Sequence, residues 1–190
     1  MNKRDCGRWS VLALVLPLFS FGAVWAESEP VPAFSPYVDS AGSIRFPQGF
    51  QTSMVHLGSW FVPEGEASGF HDVYTEKASV EAFRNSGKFP DGATLVKVLR
   101  SALAADYTTG KQVRHATDSV KQWFVMIKDS KGRFAGSPNW GDGWGWALFK
   151  TDDVGKNASG DYKKDCLGCH VPAKDKDWVY TEAYPVLRDR

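Results

Sequence analysis

The residues of this chain whose spacing points most directly to chemistry are Cys166, Cys169 and His170, in the sequence Cys-Leu-Gly-Cys-His. Two thiols three positions apart can each add to one of the two vinyl groups of a haem. A histidine directly after the second thiol can then coordinate the iron as its proximal ligand. The motif therefore predicts one covalently attached haem c, with His170 as the metal ligand.

Three other interpretations of the motif are open. A redox-active Cys-x-x-Cys pair is typical of a thioredoxin-like unit early in a chain, whereas this pair lies near the C-terminus. A structural zinc site needs four ligands, and the sequence contains neither a second Cys-x-x-Cys nor a His-x-x-x-His. A disulfide across two intervening residues would be strained. Covalent haem is the interpretation that the motif favours.

The N-terminus predicts export, which the haem linkage requires because it forms outside the cytoplasm in bacteria. Residues 1–10 are basic, residues 11–25 are apolar, and Ala26 completes a short stretch suited to cleavage. This pattern is typical of a secretory signal peptide over residues 1–26 and of a periplasmic mature protein. The alternative is an uncleaved membrane anchor, although the apolar run is shorter than the about 20 residues of a membrane span.

Composition and charge exclude several classes of function. The 190 residues include 23 Lys and Arg against 22 Asp and Glu, without the basic excess that nucleic-acid binding needs. No segment after residue 26 is long and apolar enough for a bilayer, so we expect no membrane association after cleavage. Eight Trp and twelve Phe indicate a core built around bulky flat side chains or around a flat cofactor.

The elements that must position the motif are mostly strands. Alternating or β-branched patterns predict strands over residues 70–75, 93–103, 122–129 and 144–150, and a strand or a helix running into one over residues 52–62. A helix is predicted over residues 76–86, with Thr75 as its N-cap and Gly87 at its end. The fold class is therefore α+β, a mainly antiparallel sheet with a few helices, one of which carries the haem motif. Residues 27–43 are predicted to be a flexible lead-in to a single domain over residues 44–190.

The face of the iron opposite His170 has few candidate ligands. They are two methionines and three histidines: Met54, Met126, His56, His71 and His115. A Met or His in this position is typical of small electron-transfer cytochromes. Met126 stands between Val125 and Ile127 in a predicted strand, where a methionine is more often part of the core. Without a sixth ligand the iron would have an open position.

Six segments of the chain together resemble the cytochrome P460 family. They are FHDVYT (70–75), AFRNSGKFPDGATLVK (82–97), WFVMIKDSKGRF (123–134), NWGDGWGWALF (139–149), DCLGCHVPAK (165–174) and DWVYTEAYPVL (177–187). The resemblance implies a periplasmic haem c protein with an antiparallel sheet and five-coordinate iron, often a homodimer. Catalytic members oxidise hydroxylamine and have a Lys nitrogen bonded to the porphyrin. Related β-sheet cytochromes c′ lack that bond and bind nitric oxide in a pocket capped by Phe.

Carried over residue by residue, the resemblance places the thioether bonds at Cys166 and Cys169 and the axial ligand at His170. Lys97, the last residue of PDGATLVK, falls where the cross-linking lysine lies. It interrupts an apolar run, where a charged and unpaired amine would be costly unless bonded to a haem edge. The alternative is an edge-strand lysine whose ammonium reaches water.

The distal side departs from the pattern of the family. His71 aligns with an Arg of the catalytic members, and Phe124 aligns with a carboxylate. His71 could donate a hydrogen bond to hydroxylamine or transfer protons near neutral pH, or it could be structural. Phe124 would make the pocket drier and remove a proton acceptor.

Three functions remain open. Lys97 favours an enzyme that oxidises hydroxylamine, and also nitric oxide, and passes electrons to a soluble cytochrome. Phe124 favours a protein that binds nitric oxide or carbon monoxide without turnover. A simple electron carrier would use Met126 as its sixth ligand.

Overall fold

The sheet that organises the molecule has six strands in the order β1-β2-β3-β4-β6-β5, and each neighbouring pair is antiparallel. The computed structural model describes residues 34–188, so the predicted signal peptide and residues 27–33 lie outside the described residues. The predicted α+β class with a mainly antiparallel sheet is confirmed. Within the described part, no helix has the length and apolar character needed to cross a membrane.

The described chain contains six strands, four short or medium α-helices and three 3₁₀ turns. The strands are β1 Val55–Val62, β2 Gly69–Thr75, β3 Thr94–Tyr107, β4 Gly110–Lys128, β5 Trp140–Gly141 and β6 Trp144–Lys150. The α-helices are α1 Phe50–Ser53, α2 Lys77–Ser86, α3 Tyr162–Asp165 and α4 Leu167–His170, and three 3₁₀ turns follow at Val171–Lys176, Thr181–Ala183 and Pro185–Leu187.

Strands β3 and β4 extend well beyond the predicted residues 93–103 and 122–129. They continue as a two-stranded hairpin whose cross-strand pairs run from Arg100 opposite Val120 to Tyr107 opposite Gly110. Pairing with β2 ends at Arg100 and pairing with β6 ends at Gln122. Among residues 34–188, residues 101–119, the hairpin arm, therefore form strand pairs only with each other. The arm contains no buried residue, and it therefore lacks the apolar alternation by which a strand is predicted.

The prediction of Thr75 as the N-cap of α2 is wrong. Thr75 is the last residue of β2, and its hydroxyl donates to the Thr94 carbonyl at 2.7 Å, which ties β2 to β3. Glu76 is the residue before the helix, and its carboxylate accepts from the Thr94 amide and the Ser79 hydroxyl. Gly87 ends the helix as predicted, at a φ of 71° that suits glycine.

The two faces of the sheet are covered by opposite ends of the described chain, because side chains alternate between faces along each strand. Val96, Val98, Ile127 and Phe149 face a core covered by N-terminal residues that include Ile44 and Phe50. The other face carries Val73, Leu95, Met126 and Trp146 and is covered by the C-terminal segment with Cys166, Trp178 and Tyr184. The candidate haem motif thus lies on this second face, which we call the cavity face.

The C-terminal segment is made of short helical turns. Cys166 lies between α3 and α4 with φ −127° and ψ −48°, so the prediction that one helix carries the whole motif is not confirmed. Further on, Asp177 and Trp178 adopt φ values of 57° and 65°. Left-handed conformations cost a residue with a Cβ atom roughly 1–2 kcal/mol each. Neighbouring contacts must therefore hold this turn.

Arg133 closes the turn after β4 on the side opposite the cavity face. Its guanidinium donates to Asp129 at 2.7 Å and bonds Asp91, and it lies 3.9 Å from the centroid of the Phe34 ring. The ion pair with Arg133 lowers the pKa of Asp91 to about 2. This cluster stabilises a turn and takes no part in the cavity.

Candidate functional site

A cavity of about 500 Å³ lies between the cavity face and the C-terminal segment. This volume is within the range of small-molecule and cofactor sites. The cavity brings together all six site residues predicted from the sequence: His71, Lys97, Phe124, Cys166, Cys169 and His170. Strand register explains this grouping for the sheet residues. Val73, Lys97, Phe124 and Leu148 form one cross-strand row, and His71 starts the next row beside Leu99.

His170 presents a free nitrogen to the cavity. Its Nδ1 lies 2.7 Å from the Trp178 carbonyl oxygen, and because a carbonyl can only accept, Nδ1 carries the proton. Burial lowers the pKa of His170 to about 4, with the charge of Lys97 adding to the effect and the Trp178 hydrogen bond opposing it. The imidazole is therefore neutral at pH 7, and its unprotonated Nε2 is available to a metal.

The two thiols differ in their surroundings. Cys166 is 7% exposed and packs in the core of the cavity face, whereas Cys169 is exposed. Burial raises the pKa of the Cys166 thiol to about 11, so it is protonated at neutral pH. The Tyr180 hydroxyl donates a hydrogen bond to the Cys169 carbonyl oxygen at 2.7 Å. This bond links α4 to the segment that follows the first 3₁₀ turn.

Lys97 is half-buried on a central strand and lines the cavity. At this point β3 pairs with both β2 and β4, so the alternative of an edge-strand lysine is wrong. The Nζ atom lies 3.9 Å from the centroid of the Phe124 ring, and no carboxylate of residues 34–188 lies within 4.0 Å of it. Burial lowers the pKa of Lys97 to about 8, which makes the neutral, nucleophilic amine accessible near neutral pH.

His71 lines the same cavity from β2 and is 9% exposed. Its Nε2 donates to the Ala67 carbonyl at 2.7 Å, which ties the loop between β1 and β2 to the cavity wall. Burial is the largest cause that lowers the pKa of His71 below 6.5, and the charge of Lys97 contributes in the same direction. The neutral ring therefore carries its proton on Nε2 and leaves Nδ1 as an acceptor.

The family model described as Cytochrome P460 matches residues 47–181, which include all six site residues predicted from the sequence. The chain belongs to the cytochrome P460 family. This confirms the family predicted from the six segments, and it makes the protein a haem-binding cytochrome related to hydroxylamine-oxidising cytochromes. A comparison with curated proteins gives no match.

The residues of this cytochrome P460 chain fit a haem. Two free thiols and a neutral imidazole with an available nitrogen project from one short segment of the cavity wall. The remaining wall is largely apolar and aromatic, and it includes Trp60, Phe124 and Trp146. The Trp146 ring meets the His170 ring edge-on at 5.0 Å between centroids. A flat apolar macrocycle with a central metal is the kind of group that this donor set and wall accommodate.

Of the candidate sixth ligands, only Met126 and His71 line the cavity. Met54 packs against the core of the opposite face, while His56 and His115 are exposed. Met126 pairs across strands with Trp146, whose ring contacts His170. Met126 therefore lies at the same end of the cavity as His170, the predicted axial ligand, so it is poorly placed to bind the opposite side of the iron in this cytochrome P460.

Two further features of the site have no signal in the sequence. The Trp178 carbonyl holds His170, and a main-chain acceptor is chosen by backbone conformation and not by residue type. Glu66, on the loop between β1 and β2, contributes to the cavity lining. The sequence around it predicts only a polar loop. Both features depend on how irregular segments fold against the sheet, and sequence periodicity does not predict the conformation of such segments.

Proposed function

We propose that this chain is an exported monohaem cytochrome c that oxidises hydroxylamine, and also nitric oxide, at a haem bonded to Lys97. The observation that carries the proposal is the position of the Lys97 amine, which lines the cavity that holds Cys166, Cys169 and His170 with no carboxylate of residues 34–188 within 4.0 Å. An unpaired ammonium in this desolvated position is unfavourable. If the neutral amine replaces a hydrogen of the haem edge, two protons are released and two electrons pass to an external oxidant, and the resulting nitrogen no longer carries the charge. A soluble cytochrome is the proposed electron acceptor, and the predicted signal peptide supports a periplasmic location.

Each residue has a defined task in this proposal. Cys166 and Cys169 form thioether bonds to the vinyl groups, and Nε2 of His170 binds the iron. When bound, the haem supplies an iron centre that can accept electrons from a small nitrogenous molecule. Phe124 places an aromatic ring 3.9 Å from the Lys97 amine, measured to the ring centroid, on the wall of the cavity.

His71 is proposed to accept a proton released from the substrate. Its Nε2 is already engaged by the Ala67 carbonyl, so the acceptor is Nδ1. Because the pKa of His71 is lowered, the ring stays neutral and able to accept a proton through the whole neutral range. Activity should therefore be lost only as the pH falls through that lowered pKa.

The alternative is a protein that binds nitric oxide or carbon monoxide without turnover. Phe124 favours it, because an aromatic ring stands at the position where a carboxylate could accept protons. Both functions would use the same cavity and the same iron ligand. They differ in whether electrons pass from the bound molecule to an acceptor.

We expect the mature holoprotein to reduce an added electron acceptor when hydroxylamine is supplied, with kcat/KM falling on the acid side of pH 6.5. His71→Ala should lower kcat/KM about 100-fold, a typical loss for a general base, and abolish the acid limb. His115→Ala, which removes an exposed histidine outside the cavity, is the matched control and should behave as wild type. If the protein binds nitric oxide but never reduces the acceptor, the proposed enzymatic function is wrong and the gas-binding function is supported.

A homodimer is proposed as the solution state, with the hairpin arm as the contact. An isolated two-stranded hairpin is at best marginally stable in water, so an arm of this length needs a covering surface. Leu103 and Tyr107 on the arm are 56% and 52% exposed, and neither outer edge of the arm pairs with another strand of residues 34–188. The arm of a second copy offers the same apolar residues and the same free edges, which suits a self-complementary contact.

Replacing residues 104–114 by Asn-Gly should convert this dimer to a monomer. Leu103 and His115 are cross-strand partners, so a two-residue turn can join them without altering the register. Light scattering during gel filtration measures the mass, and haem content is the control, since the deleted residues do not line the cavity. A monomeric wild type, or a shortened protein that remains dimeric, would contradict this contact.

A further inference from the structure

The inference concerns the turn that supports the proximal histidine. Asp177 and Trp178 have consecutive left-handed φ values of 57° and 65°, the one such non-glycine pair among residues 34–188. Such conformations persist where surrounding contacts enforce them, and they cluster at functional sites. The carbonyl that follows, on Trp178, accepts the hydrogen bond from Nδ1 of His170 at 2.7 Å.

Two core strands hold this turn in place. Lys128, at the end of β4, donates from Nζ to Oδ1 of Asp177 at 2.7 Å, and its side chain is only 12% exposed. Trp144, at the start of β6, donates from Nε1 to the Asp177 carbonyl at 3.0 Å. The Lys128 ammonium also lies 4.8 Å from the centroid of the Trp144 ring, so the two residues support each other.

These contacts form a continuous path from the sheet to the imidazole. Lys128 fixes the Asp177 carboxylate, Trp144 fixes the Asp177 carbonyl, and the next residue directs its own carbonyl at His170. Partners of this kind orient a metal-binding histidine and raise the basicity of its free nitrogen.

We propose that Lys128 is a positioning residue for the iron ligand, acting through Asp177 and the Trp178 carbonyl on His170. The inference rests on the proposed function, because it requires iron at Nε2 of His170. Loss of the ion pair relaxes the strained turn and weakens the hydrogen bond to Nδ1. The imidazole then becomes a weaker donor to the iron, which favours the reduced state.

The test compares variants of the intact holoprotein by resonance Raman spectroscopy of the ferrous state and by redox titration. Lys128→Met keeps the aliphatic stem and removes the charge; it should lower the iron–histidine stretching frequency and raise the midpoint potential. Asp177→Asn should give the same shifts, since Asn tolerates the left-handed conformation and loses only the ion pair. Lys128→Arg retains a cation and should restore both values toward those of wild type.

Arg133→Met is the matched control, because it breaks ion pairs that lie away from the cavity, one with Asp129 at the same 2.7 Å and one with Asp91. Both readouts should stay at the wild-type values in this variant. If Lys128→Met and Asp177→Asn match Arg133→Met, Lys128 has no positioning role and the inference is overturned. If Lys128→Met fails to accumulate, Asp177→Asn alone decides. A wild-type protein without any iron–histidine mode would instead overturn the proposed function.

Discussion

Replacing Lys97 by alanine is expected to abolish hydroxylamine oxidation while nitric oxide still binds. A nitrogen joined to the ring interrupts its conjugation and distorts the macrocycle, and such distortion is one of the means by which a protein tunes haem reactivity. Without the bond, the protein should show an ordinary c-type optical spectrum. Turnover with an added electron acceptor should fall to the background, while the ferrous nitric oxide complex forms as in wild type.

The variant Lys97→Arg distinguishes the effect of the bond to the haem from the effect of a positive charge at position 97. The guanidinium keeps a positive charge next to Phe124 but does not lose its proton in proteins, so it cannot supply the neutral nitrogen that the bond requires. We therefore expect Lys97→Arg to match Lys97→Ala in spectrum and in turnover. An arginine variant that oxidises hydroxylamine at the wild-type rate would show that charge alone matters and would refute the cross-link.

Replacing both Cys166 and Cys169 by alanine is expected to release all of the haem. With both thioether bonds absent, only the iron–histidine bond and apolar contacts hold the macrocycle, and neither survives acid denaturation. Each single variant should retain one thioether bond, and its haem should be more labile than that of the wild type. Extraction of denatured protein with acidified acetone measures the outcome directly, because free haem enters the solvent and covalent haem stays with the chain.

Cys6→Ala provides the control for these cysteine variants. Cys6 lies within the predicted signal peptide, so its replacement should change neither the haem content nor the retention after extraction. Haem that leaves the wild-type protein completely would mean that the motif holds the macrocycle by coordination alone.

The parts of the fold that the sequence predicts are those with strong local patterns. Strand β6 was expected over residues 144–150 and is observed there, because its residues are buried on both faces of the sheet. Most of the hairpin arm is not predicted, since none of its residues is buried and a strand paired only with its neighbour needs no apolar alternation. Thr75 was misassigned because a threonine before a helix is a common N-cap, and its hydroxyl instead pairs across strands.

The residues of the candidate site also differ in whether a local sequence pattern identifies them. Cys166, Cys169 and His170 stand in one contiguous motif, and Lys97 was found through a resemblance that covers its segment. The ion pair between Lys128 and Asp177 joins residues 49 positions apart, and the Trp178 carbonyl is main chain. No pattern in a single sequence marks a charged residue that acts on a ligand through the backbone of another segment.

The measurement that tests the central claim most directly is a tryptic map of the haem peptides from the wild-type holoprotein. The account predicts one haem peptide that contains both the segment around Lys97 and the segment from Cys166 to His170. Lys97 should also resist cleavage by trypsin, because its amine is substituted. A haem peptide with only the second segment, together with full recovery of an unmodified Lys97 fragment, would contradict the account.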